Sequence, residues 1–126
     1  MSVMQNTHGS EIFLPEEMKK FEKLNFIEKS SYYFMERAGY EVFRFIETKL
    51  RKKQSIIVLC GPGNNGGDGF VLAKHLVKNG YKTKVYAIYE PKKYKKDALK
   101  AAKHFKGKVE NIKFLKIRKN NLIIDA

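Results

Sequence analysis

The stretch that decides the fold is Ile56-Ile57-Val58-Leu59-Cys60-Gly61-Pro62-Gly63-Asn64-Asn65-Gly66-Gly67-Asp68-Gly69. Its first five residues, with Ser55 before them, form an apolar run closed by a Gly-Pro turn. A run without polar alternation reads as a central parallel strand buried on both faces. A loop over residues 61–67 follows. From about Asp68 to Asn79 the pattern is helical, with Phe70, Val71, Leu72, Ala73 and Leu76 free to pack. Strand, glycine loop and helix in that order place the loop at the carboxyl end of a strand, where open α/β sheets bind ligands. Five glycines in nine residues let the backbone approach a ligand closely and adopt positive φ. The amides of the next helix then face the same space and suit a phosphate or pyrophosphate.

Outward from this core the pattern repeats. Asn79-Gly80 is a helix stop, and residues 82–89 read as a second strand ended by Glu90-Pro91. Residues 94–106 read as a helix with Ala98, Leu99, Ala102 and Phe105 inward, stopped by Gly107. A short strand is expected at residues 112–115, and residues 121–126 begin another buried strand. Upstream, Ser30 or Ser31 can cap a helix whose buried stripe is Phe34, Met35, Ala38, Val42, Phe45 and Ile46. Pro15 opens an earlier helix carrying Met18, Phe21 and Leu24, with Glu16 and Glu17 in its first turn. Residues 1–12 read as a flexible leader. The expected fold is α/β: a Rossmann-like three-layer sandwich with a mostly parallel sheet and helices on both faces. The strands at residues 56–59 and 122–124 should be parallel neighbours, with residues 82–88 on the other side of the first. The last strand, lacking its covering helix, should leave an unpaired edge.

Read literally, Gly61-x-Gly63-x-x-Gly66 also fits a dinucleotide fingerprint, with Glu90 as its ribose acid. Two features oppose that reading. The loop continues with Gly67-Asp68-Gly69, and Asp68 would repel a pyrophosphate unless turned away or paired. Plain structural roles exist too. Asn64 and Asn65 suit turn conformations, Asp68 can cap a helix, and Asp125 can cap a loop. Cys60, the one cysteine, cannot form an internal disulfide and reads as a small buried residue. His75 and His104 read as surface residues; with His8 they suggest no metal site.

The net charge is +13, from 26 basic and 13 acidic residues. Most of the positive residues are lysines; the arginines are Arg37, Arg44, Arg51 and Arg118. The expectation is diffuse solvated charge, with nucleic acid an unfavoured partner. No apolar stretch is long enough to span a bilayer, so a cytoplasmic protein without membrane contact is expected.

The whole string from Gly61 to Gly69 is more specific than its glycines. With Phe70-Val71-Leu72-Ala73-Lys74-His75 after it, it resembles the signature loop of the YjeF N-terminal family. Met35-Glu36-Arg37-Ala38-Gly39 resembles that family's characteristic helix, and Leu14-Pro15-Glu16-Glu17-Met18 its opening. Ile123-Ile124-Asp125-Ala126 is similar to the start of its second motif. The resemblance runs over residues 13–126 and implies an NAD(P)H-hydrate epimerase domain incomplete at its C-terminus, the first half of the fold only.

The resemblance further implies an isomerase that interconverts the R and S forms of hydrated NADH and NADPH, as nicotinamide cofactor repair. Asn64, Asn65, Gly66, Gly67 and Asp68 would line the substrate site. Asn65 and Asp125 would ligate a potassium ion, a hard cation suited to such oxygens. Asp68 is the candidate catalytic carboxylate within the chain, and the main acid–base group is expected beyond residue 126. The implied partners are a second copy of the chain and a fused or separate NAD(P)H-hydrate dehydratase. Related folds in mRNA-decapping enhancers leave a non-enzymatic alternative, RNA binding or dimerisation. An NAD(P) dehydrogenase half-domain is a third reading.

Overall fold

The computed structural model describes residues 1–5, 10–12, 30–51 and 54–126. The elements in chain order are β1 (Ser2–Gln5), β2 (Ser10–Ile12), α1 (Ser31–Glu47), β3 (Ile56–Cys60), α2 (Gly63–Lys78), β4 (Thr83–Ala87), α3 (Lys96–His104), β5 (Val109–Asn111) and β6 (Leu122–Asp125). Single 3₁₀ turns lie at Pro91–Lys93 and Ile112–Phe114. The expected helix over residues 15–24 falls outside the described residues.

The six described strands form one sheet in the order β2-β1-β6-β3-β4-β5. β3 pairs in parallel with β4 on one side and with β6 on the other, and β4 pairs in parallel with β5. The apolar run is thus the central strand, between the neighbours expected for it. Two crossovers, β3-α2-β4 and β4-α3-β5, step the same way across the sheet, and with the right hand usual for such connections their helices share a face. Ile56, Val58, Cys60, Val85, Ala87, Leu122 and Ile124 pack there against Phe70, Leu72 and Leu76 of α2, against Ala98 and Ala102 of α3, and against Val42 and Ile46 of α1. The fold is the mixed α/β, three-layer, mostly parallel one expected; the described helices supply one of its helical layers.

Four local expectations need correction. Residues 1–12 were expected as a leader, but β1 and β2 form an antiparallel pair, and β1 also pairs antiparallel with β6. Val3, fully buried, explains the docking, and β1 gives β6 the edge partner it was expected to lack. The helix expected from Asp68 begins five residues earlier, at Gly63, which opens it with a φ of +71°. The strand expected at residues 112–115 lies at Val109–Asn111, and a 3₁₀ turn occupies Ile112–Phe114. The third helix is shorter than expected, which leaves Tyr94 outside it.

α1 starts where Ser30 accepts a hydrogen bond from the Tyr33 amide at 3.1 Å. It ends where the Thr48 hydroxyl donates to the Phe45 carbonyl. Its buried face is Met35, Ala38, Gly39, Val42, Phe43 and Ile46. Phe34 and Phe45, expected inward, are only half-buried. The stripe is turned toward Gly39 and Phe43 because α1 lies against α2 there: a Cβ on Gly39 would overlap Val71.

Candidate functional site

β3, β6 and β4 all end at one edge of the sheet, and α2 starts from that edge. β3 leads by a crossover to β4 on one side, while β6 arrives on the other. The carboxyl end of β3 is therefore a topological switch point, where α/β folds open a crevice.

Backbone hydrogen bonds extend the ladder past the strand ends. The Ala126 amide donates to the Leu59 carbonyl at 2.9 Å, the Gly61 amide to the Ala126 carbonyl at 2.6 Å, and the Ile88 amide to the Cys60 carbonyl at 3.0 Å. Tyr94 completes the clamp. Its hydroxyl lies 2.9 Å from the Cys60 carbonyl and 3.0 Å from the Gly61 carbonyl and donates toward both. Its ring stands perpendicular to Phe70, with centroids 5.2 Å apart. Burial first, and then the neighbouring Cys60 thiol, push the Tyr94 hydroxyl up to about 12, so it stays a donor at neutral pH. Sequence reasoning missed this residue. Its only signal was an aromatic ring among lysines, which says nothing about a partner some thirty residues away.

The five substrate-site residues expected from the sequence divide into two groups. Asn64 and Asn65 are exposed in the first turn of α2. Pro62, the residue before that turn, makes no side-chain capping hydrogen bond. The turn's leading amides are the ones an α-helix leaves without intrahelical partners. Gly66 and Gly67 instead point into the protein. A Cβ on Gly66 would lie 2.1 Å from the Gly61 carbonyl oxygen, and one on Gly67 would lie 2.9 Å from Ala98 Cα and 2.9 Å from Met35 Cε. These two glycines let the start of α2 sit against its own entry loop, α3 and α1. Asp68 is buried at 7% exposure in the second turn. It does not cap the helix, since the helix begins before it.

Asp125 is exposed at the end of β6, in register with Leu59. Strand alternation assigns it to the sheet face that carries Leu59 and Ile123, away from α2. Asn65 and Asp125 thus share the carboxyl edge of adjacent strands. An amide oxygen and a carboxylate are chemically suited to a weakly charged hard cation. Cys60 is fully buried and burial pushes its thiol up, so it packs rather than reacts.

Residues 31–126 match the family described as YjeF-related protein N-terminus. The chain belongs to this family. A relative from Roseobacter litoralis named NAD(P)H-hydrate epimerase is 41% identical over 68 residues, which are 51% of this chain and 30% of that protein. One from Ajellomyces capsulatus with the same name is 41% identical over 76 residues, 60% of this chain and 32% of that protein. A Moorella thermoacetica protein named bifunctional NAD(P)H-hydrate repair enzyme is 40% identical over 67 residues, 51% of this chain and 13% of the other. The chain thus spans less than a third of the length of these relatives. A crystal structure of the yeast protein YNL200c superposes with a TM-score of 0.58 at 29% identity, covering 76% of this chain and 44% of that one.

Within this YjeF-type domain His75 behaves unlike the surface residue expected. His75 lies under Tyr40 and Phe43, with ring centroids 5.2 and 5.8 Å away. Its Nε2 is buried without a hydrogen-bond partner, 3.8 Å from Glu36. Burial, with Lys74 beside it, lowers the His75 pKa. Burial alone would raise Glu36, but hydrogen bonds donated by Lys74 and Tyr32 outweigh it and hold the carboxylate below its usual range. This network lies along the α1–α2 contact, toward the end of α2 remote from Asn64 and Asn65. His104 is exposed and stacks on Tyr32. Among the described residues no group of three or more His, Cys, Asp or Glu gathers to hold a metal, and no helix is long and apolar enough to cross a membrane.

Proposed function

We propose that this chain carries the first half of an NAD(P)H-hydrate epimerase site, an isomerase acting in nicotinamide cofactor repair. The observation that carries the reading is the Asn64-Asn65 turn at the start of α2, set at the switch point by Tyr94 and the Gly61–Ala126 hydrogen bond. The family match and the printed names of the relatives support the choice of substrate.

The first-turn amides of α2 bind the pyrophosphate of hydrated NADH or NADPH, while Asn64 and Asn65 hydrogen-bond the dinucleotide. The hydrate is a carbinolamine, with its C6 hydroxyl beside the ring nitrogen. Inversion proceeds by loss and re-addition of that hydroxyl, or by ring opening, with a carboxylate moving the proton. Within this chain Asp68, buried in the second turn of α2, is the candidate. Asn65 and Asp125 would hold a potassium ion, whose role is to organise the turn. A second copy of the chain, a fused or separate dehydratase and a cytoplasmic setting belong to the same reading; the bifunctional relatives support the fusion.

The test uses a mixture of R and S hydrates with an S-specific dehydratase and ATP. An active epimerase drains the R form faster than the spontaneous rate, and Asn64→Ala with Asn65→Ala removes that acceleration while the fold persists. If a protein containing this chain together with a complete C-terminal half leaves the R form untouched, the reading fails.

A further inference from the structure

The lip of the crevice on the β4 side carries an aromatic ring whose outer part the fold leaves bare. Tyr89 follows the end of β4 and is 44% exposed, whereas Tyr94, on the next turn of chain, is 3% exposed. The Ile88 amide donates to the Cys60 carbonyl at 3.0 Å and ties this segment to the end of β3. Strand alternation through Val85 and Ala87, continued past the end of β4, turns Tyr89 to the face that carries α2. There its ring meets Tyr94 edge-to-face, with centroids 5.5 Å apart.

Tyr94 in turn fixes how near Tyr89 stands to the candidate site. A Cβ on Gly66 would lie 2.8 Å from Tyr94 Cε1, so one ring separates Tyr89 from the first turn of α2. The other side of the crevice is different in kind. Over Leu122–Ala126 it holds no aromatic side chain, and it ends in the exposed carboxylate of Asp125.

We propose that Tyr89 is the platform on which the adenine of the hydrated dinucleotide stacks. The substrate then lies across the switch point, its adenosine half over β4 and its hydrated nicotinamide half toward β6. This rests on the epimerase reading and adds the orientation of the substrate to it. With the pyrophosphate at the first turn of α2, above the end of β3, the two nucleosides of an extended dinucleotide run to opposite sides. Their chemistry decides which goes where. Adenine is flat and aromatic and gains from an exposed π-face. The hydrated ring is saturated at C6, so it is no longer flat, and its hydroxyl calls for a hydrogen-bonding partner. Tyr89 suits the first and the Asp125 side suits the second.

The test titrates the 126-residue chain with ADP and with inorganic pyrophosphate, followed by ligand-observed NMR. Tyr89→Ala should weaken ADP about tenfold, the scale of loss when a stacked base gives up its aromatic partner, and leave pyrophosphate within about twofold. Tyr89→Phe, which keeps the ring, should bind ADP within about twofold of the parent. Circular dichroism checks each variant. If Tyr89→Ala loses its helical signal, Tyr89→Leu replaces it with the same expected loss, since leucine still covers Tyr94 but offers no π-face. ADP binding that is absent from the parent chain, or unchanged in Tyr89→Ala and Tyr89→Leu, would overturn the proposal. So would a pyrophosphate loss equal to the ADP loss, because the effect would then not belong to the base. Neither probe is a hydrate, so the two readings fail separately. An R form left untouched sinks the epimerase reading, whereas ADP binding indifferent to Tyr89 sinks the orientation alone.

Discussion

Removing one oxygen from Tyr94 tests how the candidate site is held. In Tyr94→Phe the ring keeps its perpendicular contact with Phe70 at 5.2 Å and its contact with Tyr89 at 5.5 Å. Only the hydroxyl that serves the Cys60 and Gly61 carbonyls is lost. Cys60 retains its hydrogen bond from the Ile88 amide, so the deficit falls on the Gly61 carbonyl. A lost buried hydrogen bond is worth about 1 kcal/mol net, and a stranded acceptor adds about 1 more. The expected loss is therefore about 2 kcal/mol, roughly 6–10 °C in Tm for a domain of this size. Tyr94→Ala also removes the ring and should cost about 4 kcal/mol. Thermal unfolding of the three proteins reads both steps, and hydrogen exchange at the Gly61 amide should quicken by about thirtyfold in Tyr94→Phe. The pH dependence is a second signature. The folded value, about 12, lies above the unfolded one near 10. Folding therefore favours the protonated hydroxyl, and this contribution is intact below pH 10 and lost between about pH 10 and 12. Tyr94→Phe should lack that alkaline loss. A variant within about 0.5 kcal/mol of the parent, or one that keeps the alkaline loss, would refute the clamp.

Three further outcomes follow from the same geometry. Gly66→Ala should destabilise by about 3 kcal/mol, because its methyl would meet the Gly61 carbonyl, whereas exposed Asn64→Ala should stay within about 0.5 kcal/mol; urea titration separates them. His75→Phe should match or exceed the parent at pH 7 and lose less on acidification. The depressed folded pKa of His75 makes the parent's stability fall as pH drops below the unfolded value near 6.5, and the variant lacks that titration; equal slopes would remove His75 from the account. Asn65→Ala and Asp125→Ala should each abolish any extra thermal stabilisation by potassium over choline at matched ionic strength; a potassium effect that survives both substitutions would place the ion elsewhere.

Much of the fold was legible because β3 is apolar along its length and β4 and α3 carry ordinary patterns. The order β6-β3-β4 followed from placing the glycine loop at a topological switch point. What escaped had weak local signals. β1 is four residues long, and among its described side chains Val3 alone is fully buried, so nothing periodic marked it. β5 and its 3₁₀ turn are three residues each, and their boundary depends on pairing with β4 rather than on composition. His75 looked exposed because lysines flank it, yet Tyr40 and Phe43 cover it from another helix.

The glycine string shows how one motif can carry both a candidate site and the packing that positions it. A glycine that admits a ligand and one that admits a neighbouring helix look the same in sequence, since both are defined by a missing Cβ. Here Gly63 supplies a left-handed turn, and Gly66 and Gly67 let the start of α2 settle against Tyr94, Ala98 and Met35. Of the five residues expected to line the substrate, only Asn64 and Asn65 present side chains to solvent at the switch point. Substituting the glycines should lower activity by unfolding the platform, and that loss would say nothing about contact with substrate. Substituting the asparagines should lower activity on an intact platform. Activity and stability measured on the same variants therefore separate the two roles, and a glycine variant that keeps its stability but loses activity would return Gly66 or Gly67 to the binding surface.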